Sequence, residues 1–160
     1  MTEETHTLSI ERSLFTMAFG RDVDYDSVHP QGAWLDRRTG EVIWVYENDD
    51  DAYMEAGFPA EENRKDRERI AAEQDRYLEI PGLDHGDHHD ILKAFLRSDW
   101  CEDETRMRHA EAAYFGSIGG WKDKVNDQEA VHAFYDFQDQ RILMLAEIYL
   151  LENGIVPQWR

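Results

Sequence analysis

The chain is poor in the features that identify secreted and membrane-bound proteins. Its 160 residues contain one cysteine, Cys101, which excludes an internal disulfide framework and fits a reducing compartment. No run approaches the roughly 18 apolar residues of a membrane-spanning helix. The first residues are acidic and polar, the opposite of a signal peptide. We therefore expect a cytoplasmic protein that does not insert into a membrane.

Basic residues are also scarce, since 17 Lys and Arg stand against 35 Asp and Glu and the net charge is −18. The acidity is concentrated early, because residues 1–62 carry 15 acids and 4 bases. Nucleic-acid binding needs Lys and Arg to displace counterions, so direct DNA or RNA binding is not expected. Such acidity keeps a protein soluble and also favours a basic protein partner.

Recognised catalytic motifs are absent from the sequence. It has no phosphate-binding loop, no dinucleotide fingerprint and no Ser or Cys nucleophile motif. Residues 116–120 contain glycines but are interpreted as an interhelical turn. Cys101 precedes Glu102 and Asp103, whose charges disfavour a thiolate, so it is interpreted as a structural thiol. These features favour a protein without a cofactor that is not an enzyme.

Apolar periodicity predicts a small α/β module over residues 1–81. Gly20 provides a stop for the first helix, and Gly40 suits the positive φ of a hairpin turn. The second hairpin strand is β-branched and aromatic on both faces and is expected to be central. The predicted elements are a helix over 8–19, a hairpin over 33–46, an exposed helix over 60–75 and a third strand over 76–81 that pairs with the hairpin.

Residues 82–160 are predicted to form a helical module. Asp87 is the expected N-cap of its first helix, and Asn126 with Glu129 fits a capping box for the last. Residues 142–145 are apolar nearly all round, so the last helix is central or lies in an interface, including one between copies of the chain. The predicted helices cover 87–96, 103–115, 121–125 and a long final segment that stops at Asn153-Gly154.

Together these patterns predict an α+β fold. An N-terminal helix and a small three-stranded antiparallel sheet are followed by a C-terminal helical bundle. No flexible linker separates the modules 1–81 and 82–160. We therefore expect a single domain over 1–160 with one shared core.

A histidine- and aspartate-rich segment over residues 84–90 is the sharpest local feature. On a helix, His85 and His89 share a face, as do Asp84 and His88. These four side chains are the candidate ligands for zinc, nickel or manganese, in a metal-binding protein or metal-dependent hydrolase. The alternative is an exposed, acid-rich helix start with several caps, because the spacing matches no recognised zinc motif.

Two other features bear on binding. Asp22, Asp24 and Asp26 imitate the first ligands of a calcium loop, but Ser27 and Ala33 occupy positions that require Gly and an acid. Four tryptophans are assigned to the core: Trp34, Trp44, Trp100 and Trp121. The terminal Trp159 anchors either on its own fold or on a partner.

Three segments, in order, resemble a bacterial group called uncharacterised protein family 0158. They are Trp34 to Val42, Arg76 to Pro81, and Phe134 to Arg141 leading to Tyr149 to Ile155. The resemblance implies a shared fold and no established activity. In residues 116–123 this chain lacks the paired arginines of the family, so it lacks any activity that depends on them.

Three functions are consistent with these observations. The first is a non-enzymatic, acidic protein-interaction or regulatory protein. The alternative is metal binding or metal-dependent hydrolysis at the Asp84–Asp90 segment. A weaker alternative is a nucleic-acid mimic, which requires the carboxylates of residues 47–62 to align on one face at phosphate-like spacing.

Overall fold

The computed structural model describes residues 5–23, 31–57 and 59–160. It is a mixed α+β fold with a three-stranded antiparallel sheet, as the sequence predicts. Two compact units are present: unit 1 comprises Met1–Leu83 with Ala146–Arg160, and unit 2 comprises Asp84–Leu145. The division after Leu83 lies close to the predicted module boundary, but the C-terminal segment belongs to unit 1.

The helices and strands follow the chain in a mixed order. The first part contains β1 (His6–Ile10), α1 (Arg12–Phe19), β2 (Gln31–Asp36), β3 (Val42–Tyr46), α2 (Asp49–Ala56), α3 (Ala60–Ala72) and β4 (Tyr77–Ile80). The remainder contains α4 (His85–Leu96), α5 (Glu104–Ala112), α6 (Ile118–Val125), α7 (Gln128–Glu152) and β5 (Ile155–Trp159). None of these described helices is long and apolar enough to cross a membrane. Helix α2, in the acidic segment, has no counterpart in the sequence prediction.

The three-stranded sheet has the order β3–β2–β4, so the prediction that the second hairpin strand is central is wrong. Central β2 pairs on both sides, with Ala33 opposite Trp44 of β3 and Ile80 of β4. In β3, Ile43 and Val45 are buried, whereas the other face is only half-buried. Strand β3 therefore has apolar residues on both of its faces, but it pairs with a neighbouring strand along only one edge.

A second sheet joins the two ends of the described chain. Strand β1 pairs in parallel with β5, with His6 opposite Ile155 and Ile10 opposite Trp159. The predicted helix over 8–19 is therefore wrong in its first residues, because α1 begins only at Arg12. Leu8 and Ile10 are buried in β1 by alternation, and their partner strand lies at the far end of the sequence.

The helix caps of unit 2 correct several predicted boundaries. Asp84, and not Asp87, is the N-cap of α4, and the two residues form a reciprocal capping box. Asn126 adopts a left-handed conformation with φ 46° and ends α6. Asp127 then accepts a hydrogen bond from the backbone N–H of Ala130 at 3.2 Å, so it takes the capping role predicted for Asn126. Helix α6 starts at Ile118, earlier than predicted, because Ser117 caps it.

Trp121 lies at the centre of the unit 2 core. Its ring centroid is 6.1 Å from that of Phe95 and 5.5 Å from that of Phe134, and all three side chains are buried. The indole N–H donates to the carbonyl of Ala110 at 2.8 Å, which satisfies a buried polar group. The core of unit 2 is therefore an aromatic cluster that joins α4, α5, α6 and α7.

Unit 1 packs α1 against its C-terminal segment through aromatic rings. The Phe15 and Trp159 centroids are 6.0 Å apart, and the Phe19 and Tyr149 centroids are 5.6 Å apart. The Trp159 indole N–H donates to Glu147 at 2.9 Å. Trp159 therefore anchors on its own fold, which resolves the two alternatives left by the sequence.

Candidate functional site

The segment 84–90 forms the start of α4, and its first acid is committed to helix capping. The Asp84 carboxylate accepts from the backbone N–H of Asp87 at 2.7 Å, and the Asp87 carboxylate accepts from the Asp84 N–H at 3.0 Å. A capping box satisfies backbone donors that the first turn leaves without partners. Asp84 therefore has a structural role that the sequence prediction assigned to Asp87.

His85 and His89 are brought together by one turn of α4. Their Nε2 atoms lie 2.8 Å apart, and their ring centroids are 4.3 Å apart with an angle of 82° between the planes. The Nδ1 atom of His89 lies 2.5 Å from the hydroxyl of Tyr114, just beyond the end of α5. His85 is exposed, whereas His89 and Tyr114 are half-buried, so the cluster opens to solvent on one side.

His88 is not part of this pair. It is buried, and its Nε2 atom has no hydrogen-bond partner among the described residues. Within residues 5–23, 31–57 and 59–160, no group of three or more His, Cys, Asp or Glu side chains is arranged to hold a metal ion. Of the four predicted ligands, the structure thus brings together His85 and His89, and it adds Tyr114, which no spacing in the sequence links to them.

The acidic segment 47–62 is partly tied into the fold. Asp49 contacts Arg67 at 3.0 Å and accepts from the amide of buried Asn63 at 2.7 Å. Glu61 and Glu62 lie 3.7 and 3.8 Å from Lys65 on α3. Carboxylates that pair with neighbouring cations give no support to the alignment that a nucleic-acid mimic requires.

Two segments that carry the family resemblance meet at a buried ion pair in unit 1. Arg76 donates through Nε and Nη2 to Asp36 at 3.1 and 2.8 Å, and the Asp36 side chain is 1% exposed. Burial raises the pKa of Asp36, but hydrogen bonds from the Arg76 side chain, the Arg38 backbone N–H and the Thr39 side chain lower it to about 2. The pair fixes the hairpin turn beside β4, which is a structural role.

An apolar groove of about 470 Å³ lies between the three-stranded sheet and α3. Trp34, Val45 and Ile70 line it, with Arg67 at its border. A smaller cleft of about 210 Å³ lies between α4 and α7, where Arg141 accompanies Asp87 and Asp90. Neither space holds a Ser or Cys nucleophile beside a base, so neither suggests a hydrolytic centre.

Unit 1 exposes large aliphatic side chains on the elements that pack through the Phe15 and Phe19 rings. The name apolar face denotes five of these side chains on α1, α7 and β5, each 38–60% exposed: Leu14, Met17, Ile148, Leu151 and Val156. In unit 2, the exposed rings of Phe115 and Tyr135 each have a lysine ammonium beside them. Lys124 lies 4.5 Å from the first ring centroid and Lys122 lies 4.7 Å from the second.

The two remaining candidates from the sequence are Cys101 and the imitation calcium loop. Cys101 is half-buried, and its thiol lies 3.5 Å from the carbonyl of Asp103. This contact supplies no base or positive charge that would favour a thiolate. Of the imitation calcium loop, Asp24 and Asp26 lie outside the described residues.

No protein-family model matches the chain, and no match is found among the curated proteins or the solved structures. The resemblance to family 0158 therefore stays a prediction.

Proposed function

We propose that the chain is a non-enzymatic protein-interaction or regulatory protein whose apolar face binds a basic, amphipathic segment of another protein. The observation that carries the proposal is the exposure of Leu14, Met17, Ile148, Leu151 and Val156 in unit 1. Single exposed apolar side chains are ordinary on protein surfaces, whereas a concentration of them marks interaction sites.

Helix geometry supports the same surface. Ile148 and Leu151 are three residues apart on α7, so they project from the same side of the helix. Glu147 and Glu152 flank them, and both belong to the last turns of the same helix. An apolar centre with acidic neighbours complements a helix that has an apolar stripe bordered by Lys and Arg.

The charge of the whole chain supports a basic partner over a second copy of the chain. A net charge of −18 speeds the approach of a cationic segment and opposes self-association at low ionic strength. We therefore expect a monomer at low salt, which light scattering coupled to gel filtration measures. A dimer that persists at about 0.05 M salt contradicts this assignment of the partner.

The experiment compares two charge substitutions at exposed apolar positions. Ile148→Asp combined with Leu151→Asp places charge on the apolar face, and Met54→Asp is the matched control on α2, where the side chain is 76% exposed. Immobilised wild type and control are expected to retain the same partner from lysate at low salt, and the double variant to lose it. Retention by all three proteins, or by none, contradicts the proposal.

A further inference from the structure

Strand β3 forms an outer edge of the three-stranded sheet, since it pairs with β2 alone. The Asp36 N–H donates to the Glu41 carbonyl at 2.9 Å, so the facing pair at the hairpin end of the ladder is a hydrogen-bonded one. Facing pairs in an antiparallel ladder alternate between bonded and non-bonded. Val42, Trp44 and Tyr46 belong to the non-bonded pairs, and their backbone N–H and C=O groups therefore point away from β2.

The side chain of Asn63 takes the place of a neighbouring strand at one end of this edge. Its amide accepts from the Tyr46 N–H at 2.8 Å and donates to the Tyr46 carbonyl at 3.0 Å. The same amide donates to Asp49 at 2.7 Å, and Asn63 is fully buried. An amide side chain has the donors and the acceptor of a peptide group, so Asn63 satisfies Tyr46 as a fourth strand would.

The rest of the edge has no such neighbour. Val42 and Trp44 are half-buried, and no described residue bonds to their outward backbone groups. We call the outward N–H and C=O groups of these two residues the open edge. A row of unpaired donors and acceptors on an edge strand is a template for another strand. In an antiparallel arrangement, three residues of a guest segment satisfy all of these groups.

The charges beside the open edge favour a basic guest. Glu41 and Glu47 flank β3 directly in the sequence, and both are exposed. Arg69 contacts Glu41 at 3.8 Å, but it also lies 3.0 Å from Asp66, so its charge is shared between two acids. Lys or Arg at the ends of a guest segment therefore complements carboxylates that the fold neutralises only in part.

A second copy of the chain does not fit the same edge. Two β3 strands that paired through Val42 and Trp44 would continue past them, and backbone of one copy would lie opposite Tyr46 of the other. Asn63 already occupies that position. The net charge of −18 on each copy also opposes the pairing. The guest is therefore a segment of another protein that ends or turns away before it reaches Tyr46.

We propose that the open edge of β3 binds a short, extended segment of another protein, with β-branched or aromatic residues facing Trp44 and Lys or Arg at its ends. In strand addition, main-chain hydrogen bonds give affinity and alternate side chains give specificity. A β-branched side chain opposite an aromatic ring makes a favourable cross-strand pair. The open edge contains no residue of the apolar face, so it is a second binding surface of unit 1.

The test uses isotope-labelled protein and the capped peptide Lys-Val-Thr-Val-Lys, followed by amide NMR and hydrogen exchange. At about ten times its dissociation constant, the peptide is expected to slow exchange of the Val42 and Trp44 amides about tenfold, since about one protein molecule in eleven is then free. The control is the same peptide N-methylated at its three central residues. It lacks the donors of the pairing and is expected to leave both amides unchanged.

A proline substitution tests the open edge from the side of the protein. Val42→Pro removes an outward N–H that the sheet does not use, at an edge position where proline is tolerated. It is expected to weaken peptide binding about tenfold, because one hydrogen bond is lost and the ring obstructs the guest. Val42→Thr keeps the N–H and is the matched control with wild-type affinity. Unchanged amide signals of Leu78 and Ile80 in β4 check that the sheet is intact.

Several results overturn the proposal. One is unchanged exchange of the Val42 and Trp44 amides in the presence of the lysine peptide. Another is equal binding of the N-methylated peptide, a comparison that does not depend on how any variant folds. Wild-type affinity in a folded Val42→Pro variant has the same consequence.

Two further measurements test the nature of the guest. The peptide Glu-Val-Thr-Val-Glu is expected to bind at least about tenfold more weakly at low salt, and equal affinity overturns the assignment of a basic partner. Protection of the open edge that rises with protein concentration, without peptide, overturns the choice of another protein over a second copy. Ile148→Asp combined with Leu151→Asp is expected to retain peptide binding, which distinguishes failure of the open edge from failure of the apolar face.

Discussion

Unit 2 is built mainly from segments that follow one another in the sequence, whereas unit 1 is closed by segments from opposite ends of the chain. In unit 2, the indole of Trp121 donates to Ala110, eleven residues earlier. In unit 1, His6 pairs with Ile155, and Arg37 donates to the carbonyl of Asn153 at 3.4 Å. The comparison teaches that local sequence signals describe unit 2 better than unit 1, because they cannot report a partner that lies far along the chain.

The units also differ in what they expose. Unit 1 leaves aliphatic side chains open on α1, α7 and β5, whereas unit 2 exposes the rings of Phe115 and Tyr135, each with a lysine ammonium beside it. Unit 1 carries both proposed binding surfaces, the apolar face and the open edge of β3. Four substitutions test whether the two units are stabilised independently of each other, and the largest expected effect comes first.

Removing the central ring of unit 2 is expected to have the largest effect. Trp121→Ala leaves a cavity beside Phe95 and Phe134 and a buried carbonyl at Ala110 without its donor, at a cost of about 3–5 kcal/mol. Urea unfolding measures the change in the free energy of unfolding. Hydrogen exchange is expected to show greater loss of protection in α5 and α6 than in β2, and equal loss in both contradicts the separation of the cores.

Two glycine substitutions, one in each unit, are expected to change the stability of the protein in opposite directions. Gly40 has φ +79°, and a Cβ atom there would lie 1.9 Å from the carbonyl oxygen of Ser9 in β1. Gly40→Ala is therefore expected to destabilise unit 1 by about 2–3 kcal/mol. Gly119 lies in α6 with nothing within 4 Å of the added atom, so Gly119→Ala is expected to stabilise by about 0.5–1 kcal/mol.

Thermal and urea unfolding measure both glycine variants under the same conditions. Destabilisation by Gly119→Ala contradicts the view that α6 gains from a better helix former. A neutral Gly40→Ala contradicts the close approach of the hairpin turn to β1.

The last prediction concerns the pH dependence of the Asp36–Arg76 pair. The pKa of Asp36 falls from its ordinary value of 3.8 to about 2 in the fold, so ionised Asp36 stabilises the protein above about pH 4. This contribution, about 1–2 kcal/mol after allowance for solvent screening, is lost as the pH falls from about 4 to about 2. Asp36→Asn is therefore expected to be less stable than wild type at neutral pH, with a difference that shrinks over that window.

Denaturant unfolding between neutral pH and about pH 2 checks this prediction. Asp50→Asn, at an exposed position of α2, is the matched control and is expected to run parallel to wild type. A difference between wild type and Asp36→Asn that stays constant with pH contradicts the assignment. In unit 2, the pKa of Asp127 is also lowered. Burial raises this pKa, but the hydrogen bonds from Arg106 lower it by more.

Local patterns predicted much of the fold correctly. The hairpin turn at Gly40, strand β4 and the order of the helices other than α2 follow from turn chemistry, alternation and apolar spacing. Errors occur where a pattern has two meanings. Leu8 fits either the start of a helical stripe or an alternating strand with Ile10, and the apolar β3 fits either a central or an edge strand.

The candidate site shows the same limit. Helical spacing correctly places His85 and His89 on one face of α4, but it gives no sign that Tyr114 reaches His89 from beyond α5. Spacing also treats Asp84 and His88 as equal candidates. In the structure, the Asp84 carboxylate caps α4 and the His88 side chain is buried. Burial and side-chain convergence are properties of packed helices, and no single helix contains that information.

By itself, the sequence determined the α+β class, the acidic surface, most helix positions and the shared face of His85 and His89. These depend on composition, on capping residues and on a periodicity that operates within a few residues. Only the tertiary structure decided the pairing of β1 with β5, the central place of β2 and the contact between His89 and Tyr114. Each of these requires closing a long loop, and the free energy of that closure is repaid by contacts made only in the folded chain.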